Sequence, residues 1–304
     1  MGIRDLIIYG MSVTAAFTLQ THACAEAGLA TASATPLPTN VWSQIQSPTN
    51  DAALPVGFYS NGCIRGAVPL ALDGSGYQVM RPFRNRFYGH PDLIQFLQNL
   101  GTELDAMDSA LLLGDLGQPR GGPLPYGHAS HQVGLDVDIW YWTHPEQRVR
   151  SLTADERNLL PMPSVLNANG LVDPTKFTKE TILKLKLAAL DPKVERIFVN
   201  PAIKTYLCSA LPENELYWLH TLRPWTGHDD HFHVRIACPA NDPACIHQEP
   251  QAAGDGCKEL MPDRSGISLS DFNEETSLDP RIEQLLEPTA ATALPAECAN
   301  VLKE

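Results

Sequence analysis

The sequence predicts an α+β fold, a single domain in which helices flank a small antiparallel sheet. Three observations carry this expectation. Apolar runs of strand length are interspersed irregularly with runs of helical period, without the strict strand–helix alternation of a doubly wound sheet. Two segments, 135–140 and 231–236, alternate apolar and polar residues with a period of two, as half-buried strands do. No internal repeat divides the 304 residues, a length that suits one large domain or two small ones.

The elements follow in chain order. Residues 1–25 read as an export signal. Arg4 gives a positive start, Leu6 to Leu19 is mostly apolar, and Ala23-Cys24-Ala25 is an A-x-A cleavage pattern. The competing reading is an ordinary buried helix; the run is too short to span a bilayer, and nothing later is long and apolar enough for stable membrane insertion. Residues 26–40, rich in Ala, Thr and Pro, read as a flexible spacer. The folded domain is expected over 41–261. Within it, Pro91 can open a helix carrying Leu93, Ile94, Phe96, Leu97 and Leu100. Leu111–Leu113 reads as a short buried strand. Thr153 and Glu156 form a capping box, and Thr178 can cap a helix carrying Ile182, Leu183, Leu185, Ala189 and Leu190. Val194–Val199 reads as a strand, after which Asn200-Pro201 starts another helix with Asn as cap and Pro in its first turn. Residues 262–304, polar with scattered Pro and acidic residues, read as a loosely ordered tail tied back by Cys298.

Charge and cysteines bound the function. A formal net charge of −13 argues against a nucleic-acid partner, because phosphate binding needs a basic footprint. Of seven cysteines, Cys24 leaves with the signal; the remaining six are Cys63, Cys208, Cys238, Cys245, Cys257 and Cys298. An even count in an exported chain suggests three disulfides, although spacing alone leaves the pairing open. No C-x-x-C pair occurs, so a cysteine-based metal site is not expected.

Half of the ten histidines fall in two short windows, 128–139 and 227–236. On the first strand Leu135, Val137 and Ile139 alternate with Asp136, Asp138 and Trp140. On the second, Phe232, Val234 and Ile236 alternate with His231, His233 and Arg235. Successive side chains on a strand point to opposite faces. The apolar faces can therefore pack inward while Asp136, Asp138, His231 and His233 line the other side, with His131 entering from the turn before the first strand. If the strands pair, the polar faces meet at cross-strand distance. Such a set suits zinc, which takes three N or O ligands at catalytic sites and keeps a fourth position for water.

These windows resemble the penicillin-insensitive murein endopeptidases, relatives of the lysostaphin-type and D-Ala-D-Ala metallopeptidases and of the hedgehog signalling domain. The superfamily pattern H-x(6)-D followed by H-x-H reads here as His131 to Asp138 and then His231-Phe232-His233. The resemblance extends through Ser60-Asn61-Gly62-Cys63-Ile64, Gly89-His90-Pro91-Asp92-Leu93, Ile197-Phe198-Val199-Asn200-Pro201, Arg223-Pro224-Trp225 and Gly254-Asp255-Gly256-Cys257. It implies that His131, Asp138 and His233 are zinc ligands, and that His231 and His228 activate water or stabilise the oxyanion, with Asp230 a further candidate base. Asp136 has an orienting role as its expected function. It implies a peptidoglycan substrate cut between D-Ala and meso-diaminopimelate in the periplasm, and the pairs Cys63–Cys298, Cys208–Cys257 and Cys238–Cys245. Some members hold a second metal at a subunit contact through the residue matching His128 and an Asp-x-x-His pair. Asn169-Gly170-Leu171-Val172 offers neither Asp nor His, so His128 is left as a second-metal ligand or a cleft residue, and a homodimer stays open. Two alternatives accompany this reading: a D,D-carboxypeptidase on the same metal site, and a non-catalytic zinc-binding module of the same fold.

Overall fold

A computed structural model describes residues 38–258, 260 and 293–304. The expected signal and most of the spacer, together with 262–292 of the expected tail, lie outside the described residues.

The elements are β1 (Leu54–Phe58), β2 (Asn61–Arg65), β3 (Val68–Pro69), β4 (Asp73–Gly74), β5 (Tyr77–Val79), β6 (Tyr88–Gly89), α1 (Pro91–Ala106), β7 (Leu111–Leu113), β8 (Asp136–Trp140), α2 (Ala154–Leu159), α3 (Lys179–Leu190), β9 (Val194–Val199), α4 (Pro201–Ala210), β10 (Leu222–Pro224), β11 (His231–Ile236) and α5 (Cys298–Lys303). Helix starts follow local chemistry. The His90 ring accepts the Asp92 N–H ahead of Pro91, Thr153 and Glu156 close a reciprocal capping box, and Asn200 caps α4 with Pro201 in the first turn.

The sheet departs from the small antiparallel one expected. Among the described residues it has seven strands in the order β10-β9-β11-β8-β7-β5-β4, and it is mixed. β5 and β7 run parallel, as do β9 and β10. The reason is topological: α1 connects β5 to β7, and α4 with the 3-10 stretch Glu213–Thr221 connects β9 to β10. Parallel neighbours need such crossovers.

At the centre of the sheet the two windows pair as antiparallel strands. His233 lies opposite Asp138, Val234 opposite Val137, and Arg235 opposite Asp136. Val137, Ile139, Phe232, Val234 and Ile236 are fully buried in the main core with the apolar faces of α1 and α3. The opposite face carries Asp136, Asp138, His231 and His233, flanked by a smaller apolar cluster of Trp140, Leu112, Met80 and Leu152.

Among the described residues three disulfides are present: Cys63–Cys298, Cys208–Cys257 and Cys238–Cys245. The first fixes α5 against β2, where Val301 joins Trp42 and Val56 in a separate buried cluster. Arg120 adds hydrogen bonds to the carbonyls of Val301 (2.8 Å) and Ser47 (3.2 Å). No helix among the described residues is long and apolar enough to cross a membrane.

Candidate metal centre

The polar face of β8 and β11 gathers four side chains. One donor atom from each of His128, His131, Asp138 and His233 lies within 4.8 Å of the others. Asp138 is the hub. Its Oδ2 is 3.1 Å from His128 Nε2, and its Oδ1 is 3.4 Å from His131 Nε2, 3.4 Å from His233 Nδ1 and 3.5 Å from His231 Nε2.

Sequence places these groups by two devices. Strand register puts His233 across from Asp138. The loop before β8 delivers His131, which is wholly buried and adopts φ 66°, a left-handed conformation rare for a residue with a Cβ. Gly134 makes the loop's return to β8 feasible. Its φ is 70°, and a Cβ there would come within 2.7 Å of the Ile64 side chain and 3.1 Å of the His90 backbone nitrogen.

The donor set fits a metal ion. Among the described residues, both ring nitrogens of His131, Oδ1 of Asp138 and Nε2 of His231 are buried without hydrogen-bond partners. Buried polar atoms are normally paired, so a group of orphans facing one another calls for a cation. Three imidazoles and one carboxylate, with no thiolate, form the N/O set that suits zinc and other divalent first-row metals.

Charged neighbours frame the cluster. Asp136 is wholly buried; its Oδ2 accepts the His131 N–H at 3.0 Å and its Oδ1 accepts from Arg235 Nε at 2.8 Å. His233 Nε2 lies 3.0 Å from the same Oδ1, near enough for an ion pair though off the line of a hydrogen bond. Burial would raise the Asp136 pKa, but Arg235 and His233 outweigh it and hold the carboxyl ionised. Arg235 is itself stacked between Tyr59 and Phe198. Asp138 is likewise held well below the usual carboxylate range: burial opposes ionisation, and His128, His131 and His231 overcome it.

The two remaining histidines sit at the rim. His231 Nδ1 is 2.6 Å from Asp230 Oδ1, and its ring is 5.1 Å from that of His228. For His231, burial works against protonation, yet Asp138 and Asp230 lift its pKa above the ordinary value. His228 has φ 53°, and its Nδ1 lies 3.2 Å from the Thr226 carbonyl. Burial first, then His233 and His231, push its pKa down to about 3. His128 also stays neutral, with a pKa near about 4, chiefly through burial.

Two contributors were not marked by the sequence. Asp115, after β7, bonds Arg84 (3.0 Å) and Arg86 (2.8 Å) and comes within 3.6 Å of His128 Nε2. Arg81 lies over the Trp140 ring on the same side of the sheet. Neither has motif spacing to either window. Residues 169–171 form an exposed turn beside the buried Val172, and none of 169–172 adds a ligand to the cluster.

Residues 55–303 match the family model described as penicillin-insensitive murein endopeptidase. A protein of that name from Haemophilus influenzae is 43% identical over 238 residues, covering 75% of this chain and 82% of its own length. Its namesake from Pectobacterium atrosepticum is 45% identical over 219 residues, covering 71% and 76%. One from Klebsiella pneumoniae is 43% identical over 227 residues, covering 74% and 81%.

Proposed function

The chain belongs to the penicillin-insensitive murein endopeptidase family, and from that premise we propose that it is a zinc peptidase that hydrolyses D-Ala–meso-diaminopimelate cross-links in peptidoglycan. The observation that carries the reading is the convergence of four donors around Asp138, with orphaned buried atoms facing one another. His131, Asp138 and His233 would hold the metal. When bound, it supplies Lewis acidity to the scissile carbonyl and acidifies water.

The chain's own residues supply the proton handling. Asp230 accepts from His231 Nδ1, which fixes the tautomer and leaves Nε2 facing the cluster as a base. His231 takes the proton of the attacking water and returns it to the leaving amine. His228 donates Nδ1–H to Thr226 O and remains neutral, free to support the developing oxyanion or orient His231. His128, between Asp115 and Asp138, shapes the cleft. The three disulfides and a wall substrate support an exported, periplasmic enzyme whose residues 1–25 are removed as a signal.

Purified cross-linked muropeptide dimers, incubated with and without chelator alongside metal analysis, test this. The expected result is one zinc per chain, conversion of dimers to monomers, and loss of cleavage on chelation and in His233→Ala. Cleavage indifferent to metal removal, or release of terminal D-Ala alone, overturns it.

A further inference from the structure

Arg81 shares the cleft-facing side of the sheet with the metal cluster. Asp136, Asp138 and Trp140 alternate along β8 with the core residues Val137 and Ile139, so the Trp140 indole stands on the same side as the two carboxylates. The Arg81 guanidinium lies over that indole, 5.3 Å from the ring centroid. It is half-buried, and among the described residues it meets no hydrogen-bond or ion-pair partner. Arg84 and Arg86, by contrast, both reach Asp115.

Burial, and then Arg84, pull the Arg81 pKa below the ordinary guanidinium value, while Asp115 and Asp230 act in the opposite direction. Both carboxylates belong to the surroundings of the cluster: Asp115 lies 3.6 Å from His128 Nε2 and Asp230 2.6 Å from His231 Nδ1. The backbone commits it there. Arg81 adopts φ 53°, donates its N–H to the Arg157 carbonyl at 2.9 Å and accepts the Arg84 N–H at 3.0 Å. A left-handed conformation at a residue with a Cβ is unfavourable and persists where the surroundings over-determine it.

A half-buried, unpaired guanidinium braced on an aromatic face presents the planar fork that takes a carboxylate bidentately. The substrate proposed above offers one beside the scissile bond. On the acyl side the D-Ala carboxyl is consumed in the amide. On the amine side diaminopimelate keeps a free carboxylate on the carbon that bears the scissile nitrogen. We propose that Arg81 is a specificity-determining residue that binds this carboxylate and so fixes the amine side of the bond in the cleft; the inference rests on the cross-link reading.

The test compares zinc-loaded wild type, Arg81→Gln and Arg81→Lys on two cross-linked dimers, one with that carboxylate free and one with it as the carboxamide. Wild type should favour the free acid by about 10–100-fold in kcat/KM, the scale of a charge-assisted hydrogen-bonded pair. Arg81→Gln should lose the preference mainly through KM, and Arg81→Lys should recover part of it, with zinc content and Tm unchanged. An undiminished preference in Arg81→Gln, or equal losses on both dimers, overturns the assignment. If wild type cuts neither dimer, the cross-link reading fails instead. Calorimetric binding of the two dimers to chelated wild type and Arg81→Gln then decides the role of Arg81 separately: discrimination present only in wild type supports it, and its absence from wild type or its persistence in the variant refutes it.

Discussion

The side chain of Asp136 holds the main chain of His131: its Oδ2 accepts the His131 N–H at 3.0 Å, five residues back along the loop. That bond stabilises His131 in a left-handed conformation it would not adopt unaided, and so aims the ring at Asp138. Partners that orient ligands typically contribute 10–100-fold to metal affinity. Asp136→Asn should weaken zinc binding by about that factor while the protein still folds, as read by competition with a chelator. An unchanged affinity would show that the loop holds His131 by other means.

Removal of the rim histidines should separate chemistry from metal binding. His231→Ala and His228→Ala are each expected to keep zinc yet lose most cleavage, since positioned proton transfer contributes about 10²–10⁴-fold. The check is turnover on cross-linked dimers together with metal analysis of each variant. A variant with wild-type turnover at neutral pH clears that histidine of a catalytic part, and Asp230 then becomes the base to test.

The metal-free protein should be acid-sensitive through His128, together with His228, whose pKa burial also lowers, to about 3. The folded pKa of His128 is about 4, against a reference value of 6.5, with burial as the main cause and Asp138 opposing it. Between those two values the unfolded chain binds a proton that the folded chain does not. Stability therefore rises with pH across that window and is lost as pH falls through it. Thermal melts of chelated protein should show Tm falling below about pH 6.5, and His128→Gln should flatten the decline. Parallel curves for the two proteins would contradict the assignment.

Cys63→Ser should reduce stability and free α5. The Cys63–Cys298 bond closes a loop with a sequence separation of 235, and the chain-entropy model assigns such a loop about 5.5 kcal/mol as an upper value. Neither cysteine belongs to the metal cluster, so zinc content at low temperature should be retained. Non-reducing peptide mapping and thermal melts provide the measurement; an unaltered Tm would mean that the Val301 contacts suffice on their own.

What the sequence disclosed about this molecule depended on period and spacing. The alternation in 135–140 and 231–236 was long enough to predict which residues face the core and which face the cleft, and pairing placed His233 opposite Asp138. The helix starts at Pro91, Thr153, Thr178 and Asn200 were legible because caps are local chemistry. The mixed character of the sheet was not. β5 and β10 have three residues each, too few to show a period, and their parallel neighbours follow from crossovers that no short window encodes. Asp115 and Arg81 escaped for a different reason. Each reaches the cleft from a connecting segment, where side-chain direction follows from tertiary packing rather than from sequence spacing. Disulfide pairing was likewise not deducible from spacing and came from resemblance.

The small cluster of Trp42, Val56, Cys63, Cys298 and Val301 has a consequence for biosynthesis. The β1–β2 hairpin is made early, yet the apolar cluster that Val56 and Cys63 form with Trp42 is completed by Val301 and by Cys298, 235 positions after Cys63. Until they emerge, Cys63 has no partner thiol and Trp42 lacks part of its cover. Such distant closure slows folding, because loop entropy must be lost before the contacts repay it. A nascent chain interrupted anywhere before residue 298 thus carries an unfinished surface near its beginning, so premature termination far downstream is felt as misfolding upstream.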